Sequence, residues 1–158
     1  MKHLSQLARV RRHYDRFKAI NDGDDGLPDT DLCMDTIVSF FMHCYHLKDW
    51  LINDVEFPHK TRNQIEDFVT NTESLAIAAD ICNCEKHLEL DRDPRSGDTP
   101  ELSGRIFNLN VGGNTPDTMQ LQNEHGAQLR DAFEIATDAM EQWDNFINRS
   151  TIDGLTAG

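Results

Sequence analysis

Apolar and polar positions recur with helical spacing along most of this chain, most strongly between Asp31 and Asp54. In DLCMDTIVSFFMHCYHLKDWLIND, the residues Ile37, Phe40, Phe41, Cys44, Leu47 and Leu51 share one broad face. Asp35, Ser39, His43, His46 and Asp49 form a narrower polar strip. The spacing predicts a helix that is apolar around more than half its circumference, and so one at the centre of a bundle.

The flanking patterns supply its partners. Leu4, Leu7, Ala8, Tyr14, Phe17 and Ile20 predict an amphipathic helix over 3–20, ended by the Asp- and Gly-rich turn at 21–28. That turn lacks the Glu that closes a calcium loop, and Pro28 interrupts it. Asp29 or Thr30 suits the N-cap of the central helix. Pro58 suits the first turn of a helix reaching Thr70, with Ile65, Phe68 and Val69 on one face. Another helix opens at Thr72 and carries Leu75, Ala78, Ala79 and Cys82 on one stripe. Its alanines allow a close helix–helix approach. Residues 91–100 read as an exposed loop. Arg105 to Val111 and Thr118 to Gln122 alternate, which predicts a two-stranded β-hairpin at about 105–122. Leu129 to Ile147 then form a long closing helix. The expected fold is mainly α: four or five helices in one bundle domain over 1–150, with the hairpin inserted before the C-terminal helix and a flexible tail over 151–158.

Charge divides the chain. The net charge is −13, but residues 1–20 carry +5 and the remainder −18. An acidic body repels a nucleic-acid backbone at long range, so a polyanion contact has to use the basic first helix or a local pocket. The alternative is that the arginines of this helix pair with the acidic body. No run approaches the 18 uncharged apolar residues of a membrane span, and no secretory signal is visible at the N-terminus. Four cysteines within predicted helices suit reduced thiols in a cytoplasm.

Three clusters carry candidate chemistry. In the first, His43 and His46 stand three apart, as two ligands of one metal do, with Asp49 on the same strip. Against this stands a histidine edge beside the core, hydrogen-bonded to carboxylates. In the second, Asp80, Asn83 and His87 share a helix face beside Lys86, a set that can hold phosphate or transfer a proton. Lys86 and His87 also complement a helix C-terminus. Cys82 and Cys84 are two apart and do not form a zinc knuckle. The third, Glu124-His125-Gly126 with Asp131, reads as structural. No hydrolase, P-loop, dinucleotide or zincin motif is present, so no cofactor is expected.

The arrangement of Phe40, Phe41, Tyr45, His46, Leu47, Lys48, Asp49 and Trp50, then Asp80, Asn83, Lys86 and His87, then Trp143 and Phe146, resembles small bacterial and phage proteins near the HEPN-like helical domains. It covers residues 31–147. The resemblance implies a metal-independent ribonuclease or RNA-binding module of a conflict or defence system, working as a homodimer with RNA or a protein as its partner. His87 falls on the catalytic histidine as general acid/base, Asn83 on its polar partner, and Lys86 contacts phosphate. His46, Asp49 and Asp80 flank the cleft. The family's arginine position is occupied by Cys82, and a thiol cannot stabilise phosphorane charge as a guanidinium does. Two further readings stay open: an acidic interaction protein that binds a basic partner or mimics nucleic acid, and a metal-dependent bundle enzyme using His43 and His46.

Overall fold

In the computed structural model, residues 1–23, 30–57, 60–86, 94–97, 100–107, 117–123 and 129–156 are described, with side chains at 1–23, 31–57, 60–83, 94–97 and 131–149. The protein is mainly helical, with five helices among the described residues: α1 (Lys2–Asp22), α2 (Thr30–Ile52), α3 (Arg62–Asn71), α4 (Glu73–Lys86) and α5 (Ala132–Thr156).

The central position of α2 follows from its composition. Ile37, Phe40, Phe41, Cys44 and Leu47 are wholly buried, and Leu51 is nearly so. α1 packs on one flank, where Phe17 meets Phe40, Phe41 and Phe133 at ring separations of 5.3–6.4 Å. α5 closes the core with Trp143, whose Nε1 donates to the Cys44 carbonyl at 3.1 Å. Burying an indole costs little when its N–H finds an acceptor, as it does here. α4 packs against α2, and the alanines of its stripe, Ala78 and Ala79, are wholly buried.

Local chemistry sets the helix ends. α1 stops at Gly23, whose φ of 73° is left-handed and therefore suited to glycine. α3 begins with a capping box: Thr61 Oγ1 accepts from Gln64 N, and Gln64 Oε1 accepts from Thr61 N at 2.9 Å. The start expected near Pro58 therefore shifts to Arg62, because the reciprocal Thr61–Gln64 pair is the stronger signal. Pro58 and His59 lie outside the described residues. Asp131 caps α5 through Phe133 N and Glu134 N at 2.8 and 2.9 Å. α5 runs to Thr156, through residues where a flexible tail is expected.

The expected two-stranded hairpin at about 105–122 is not supported. Three strands are assigned instead, β1 (Pro100–Phe107), β2 (Asp117–Asn123) and β3 (Leu129–Asp131), antiparallel in the order β1-β2-β3. β1 begins within the segment read as loop, and β3 within the segment read as helix. Alternation alone cannot reveal either, since Pro100 and the short β3 carry no strand pattern.

The anchor of α1 is a buried polar pair. His3 Nδ1 lies 2.7 Å from Asp54 Oδ2, both side chains 2% exposed, and the His3 backbone N–H donates to the same oxygen at 2.9 Å. The backbone N–H of His3, working against desolvation, holds the Asp54 carboxyl well below the usual carboxylate range, helped by the His3 ring and the Glu56 N–H.

Candidate functional site

Four residues of the 91–100 segment read as an exposed loop, Pro94 to Gly97, are described, and the first three of them are partly buried. They form a turn held on the side of α4. Asp80, wholly buried in mid-helix, accepts from Arg95 N at 2.9 Å through one carboxylate oxygen. The other accepts from Ser96 N and Ser96 Oγ, both at 2.8 Å. A carboxylate can be buried at this depth because the bonds satisfy both oxygens. Gly97 completes the turn at a φ of 86°.

This clamp delivers the Arg95 guanidinium to a polar notch between α2 and α3. It lies 3.4 Å from Glu66 Oε2 and 3.4 Å from Thr70 Oγ1, with its carbon 5.6 Å from the Tyr45 ring centroid. Lys48 enters the same notch, 2.8 Å from Glu66 Oε1, 3.0 Å from Asp49 Oδ1 and 4.9 Å from the Tyr45 ring. Two cations thus share one aromatic face and one fully engaged carboxylate. Burial opposes the charge on Lys48, but its bonds to Glu66 and Asp49 outweigh that and raise it. Burial likewise opposes the charge on Glu66, and Lys48 and then Arg95 reverse it, holding the carboxyl below its ordinary value. The arrangement is a charge-balanced notch, in which two cations face the Glu66 and Asp49 carboxylates beside the Tyr45 ring.

The residues expected at the site are distributed as follows. His46 Nε2 sits 3.6 Å from Cys82 Sγ, which brings α2 and α4 together beside Asn83. Asn83 is half-buried, and its Nδ2 has no hydrogen-bond partner among the described residues. Asp80 supports the turn. Asp49 pairs with Lys48 and also faces α1, where it lines a cavity with Lys2, Trp50 and Asn53. Lys86 ends α4 and its side chain is not among those described; His87 lies outside the described residues, as do residues 124–128 of the third cluster. Asp131 serves as the cap of α5.

His43 departs from the metal reading. Its ring lies 4.5 Å from that of His13, on α1, tilted by 33°. Among the described residues no three His, Cys, Asp or Glu side chains gather as metal ligands. Burial, then His13, Arg9 and His46, push the His43 imidazole down to about 4; burial, then Arg16, Arg12 and Arg9, lower that of His13. The described cysteines Cys33, Cys44 and Cys82 are all buried. Burial pushes the Cys44 thiol up to about 12, so it stays protonated and unreactive at neutral pH.

Sequence reasoning missed Arg95: with Cys82 at the family's arginine position, only Lys86 and Arg92 offered themselves as substitutes. The only signal was the pairing of a lone mid-helix Asp80 with a Pro-Arg-Ser-Gly turn, which is not periodic. Comparison of the chain with protein-family models, curated proteins and solved structures finds no match.

Proposed function

We propose that this protein acts on RNA as a HEPN-like helical bundle of a bacterial or phage conflict system, with Arg95 supplying the guanidinium that Cys82 lacks. The observation that carries the reading is the clamp on Asp80, which fastens the backbone of Arg95 to α4, the helix that bears Asn83 and ends at Lys86. In cleavage, His87 takes the 2′-hydroxyl proton as general base and returns a proton to the leaving 5′-oxygen as acid. Asn83 orients the phosphate through its unpartnered amide. Arg95 and Lys86 stabilise the charge that builds on the equatorial oxygens. No metal takes part in this scheme. Working as a homodimer, the molecule would bring two such sites together.

The test is incubation with total RNA, with and without EDTA, beside His87→Ala and Arg95→Ala. Cleavage is expected to survive EDTA, and each variant to lose on the order of a hundredfold or more. Full cleavage by His87→Ala would refute the catalytic assignment, and cleavage stopped by EDTA would refute the metal-independent mechanism.

A second reading is favoured by the charge of residues 21–158, which is −18. An acidic body of this kind binds a basic protein, with an affinity that falls steeply as salt rises. Such a protein shows no RNA cleavage under either condition.

A further inference from the structure

α1 and α2 run antiparallel, and α1 contributes a row of basic side chains to the seam between them. At one end Lys2, Asp49, Trp50 and Asn53 surround a cavity of about 280 Å³. At the other, His13, Arg16, Leu32, Asp35, Thr36 and Ser39 surround one of about 190 Å³. Between them Gln6 Nε2 donates to the His43 carbonyl at 3.1 Å, and the His13 and His43 rings lie against each other at a tilt. On α1, positions 2, 9, 13 and 16 lie at intervals of seven, four and three, so they form one stripe, with Arg12 on its outer edge. From Lys2 to Arg16 that stripe is about 21 Å long.

The cations of this stripe are not spent on the protein. Arg11, on another face of α1, pairs with Asp144 at 2.7 Å, and Lys18 pairs with Asp22. Lys2, Arg9, Arg12 and Arg16 make no ion pair among the described residues, and Arg9 reaches only the Gln6 side-chain oxygen at 3.3 Å. The expectation that the arginines of α1 pair with the acidic body therefore holds for Arg11 and not for these. Two carboxylates lie on the seam: Asp49, already paired with Lys48, and Asp35 at the far end. His13 adds a buried Nδ1 without a partner. At the near end Trp50 is 37% exposed, although a tryptophan in a core-forming helix is ordinarily covered.

We propose that the α1/α2 seam binds a short run of single-stranded RNA, its phosphates on Lys2, Arg9, Arg12 and Arg16 and one base stacked on Trp50. Charge complementarity selects the ligand: the stripe is a line of unpaired cations on a molecule that is otherwise strongly acidic, and a linear polyanion matches its length. An exposed indole beside a lysine gives a base a face to stack on, the combination that binds single strands without reading their sequence. The proposal rests on the reading of RNA as the ligand, but not on cleavage or on Arg95.

The experiment is binding of a 5′-fluorescein-labelled octauridylate to the full chain, followed by anisotropy at several salt concentrations, with quenching of tryptophan emission in the unsubstituted protein as a second readout. Trp143 is wholly buried, so quenching reports Trp50. Octauridylate is expected to quench. Trp50→Ala should weaken binding on the order of tenfold. Arg9→Gln/Arg12→Gln/Arg16→Gln should weaken it by at least tenfold and make the salt slope shallower by roughly 2, at about 0.7 for each cation removed. These side chains are exposed and unpaired, so the folded state should persist, as circular dichroism will confirm. Binding that survives the triple variant and is lost in Arg95→Ala would overturn the seam and leave the notch standing. Binding lost in the triple variant and unchanged in Arg95→Ala would do the reverse. No binding at the lowest salt would overturn both.

Discussion

Asp80 is the residue on which the candidate site depends. A carboxylate on an apolar helix is expensive unless its oxygens are bonded, and here three donors from one turn reach it. Asp80→Ala leaves the Arg95 and Ser96 amides without an acceptor and is expected to cost about 2–3 kcal/mol. At this chain length that lowers Tm by roughly 5–10 °C, measurable by calorimetry. Asp80→Asn should fall between, since one amide oxygen replaces two acceptors.

The histidine pair makes a separate prediction. The folded His43 pKa, about 4, lies below its unfolded value near 6.5. Between these values the unfolded chain binds more protons than the folded one, so stability rises with pH across the window and is lost as pH falls through it. His13 is lowered too and adds to the effect. Asp54 has the opposite origin, a depressed carboxyl, but works in the same direction at lower pH: its contribution is present above about pH 4 and fades only below that. Tm should therefore decline from pH 7 to pH 5, before ordinary carboxylates protonate, and His43→Gln should flatten that decline. An unchanged slope in the variant would show that the rings do not carry it.

Among the elements, α2 was the most legible. Every residue assigned to its apolar face is buried, because a helix covered by α1, α3, α4 and α5 needs a wide stripe, and a wide stripe is what period analysis detects. Trp143 on α5 was equally clear as part of a heptad-like run. Its removal should be the costliest single change in the core: Trp143→Ala is expected to destabilise by about 3–5 kcal/mol, read from urea unfolding. The Pro94–Gly97 turn and β3 were not legible, since docking of a turn on a buried carboxylate and pairing of a three-residue strand are tertiary events without a local period. The polar strip of α2 was found, but its use was not. His43 turned out to face His13 rather than share a metal with His46, because α1 lies along that strip and supplies the nearest ring.

At the scale of the whole molecule, charge is divided by location rather than balanced. Among the described basic residues, Arg11 ties α1 to α5, Lys18 pairs with Asp22, Lys48 and Arg95 fill the notch around Glu66 and Tyr45, and Lys2, Arg9, Arg12 and Arg16 line an open seam. Of these, the seam offers an anion approaching a body of net charge −13 a row of cations that no described carboxylate engages. Among the described residues no helix is long and apolar enough to cross a membrane. His46, packed on Cys82, joins α2 to α4.

The proposal that this acidic bundle takes RNA as its ligand is tested by the equilibrium affinity of the full chain for single-stranded RNA as a function of salt. The account predicts binding at low salt that weakens as salt rises, with a slope reporting about three or four released counterions. Absence of binding at the lowest salt, or an affinity indifferent to salt, would contradict it.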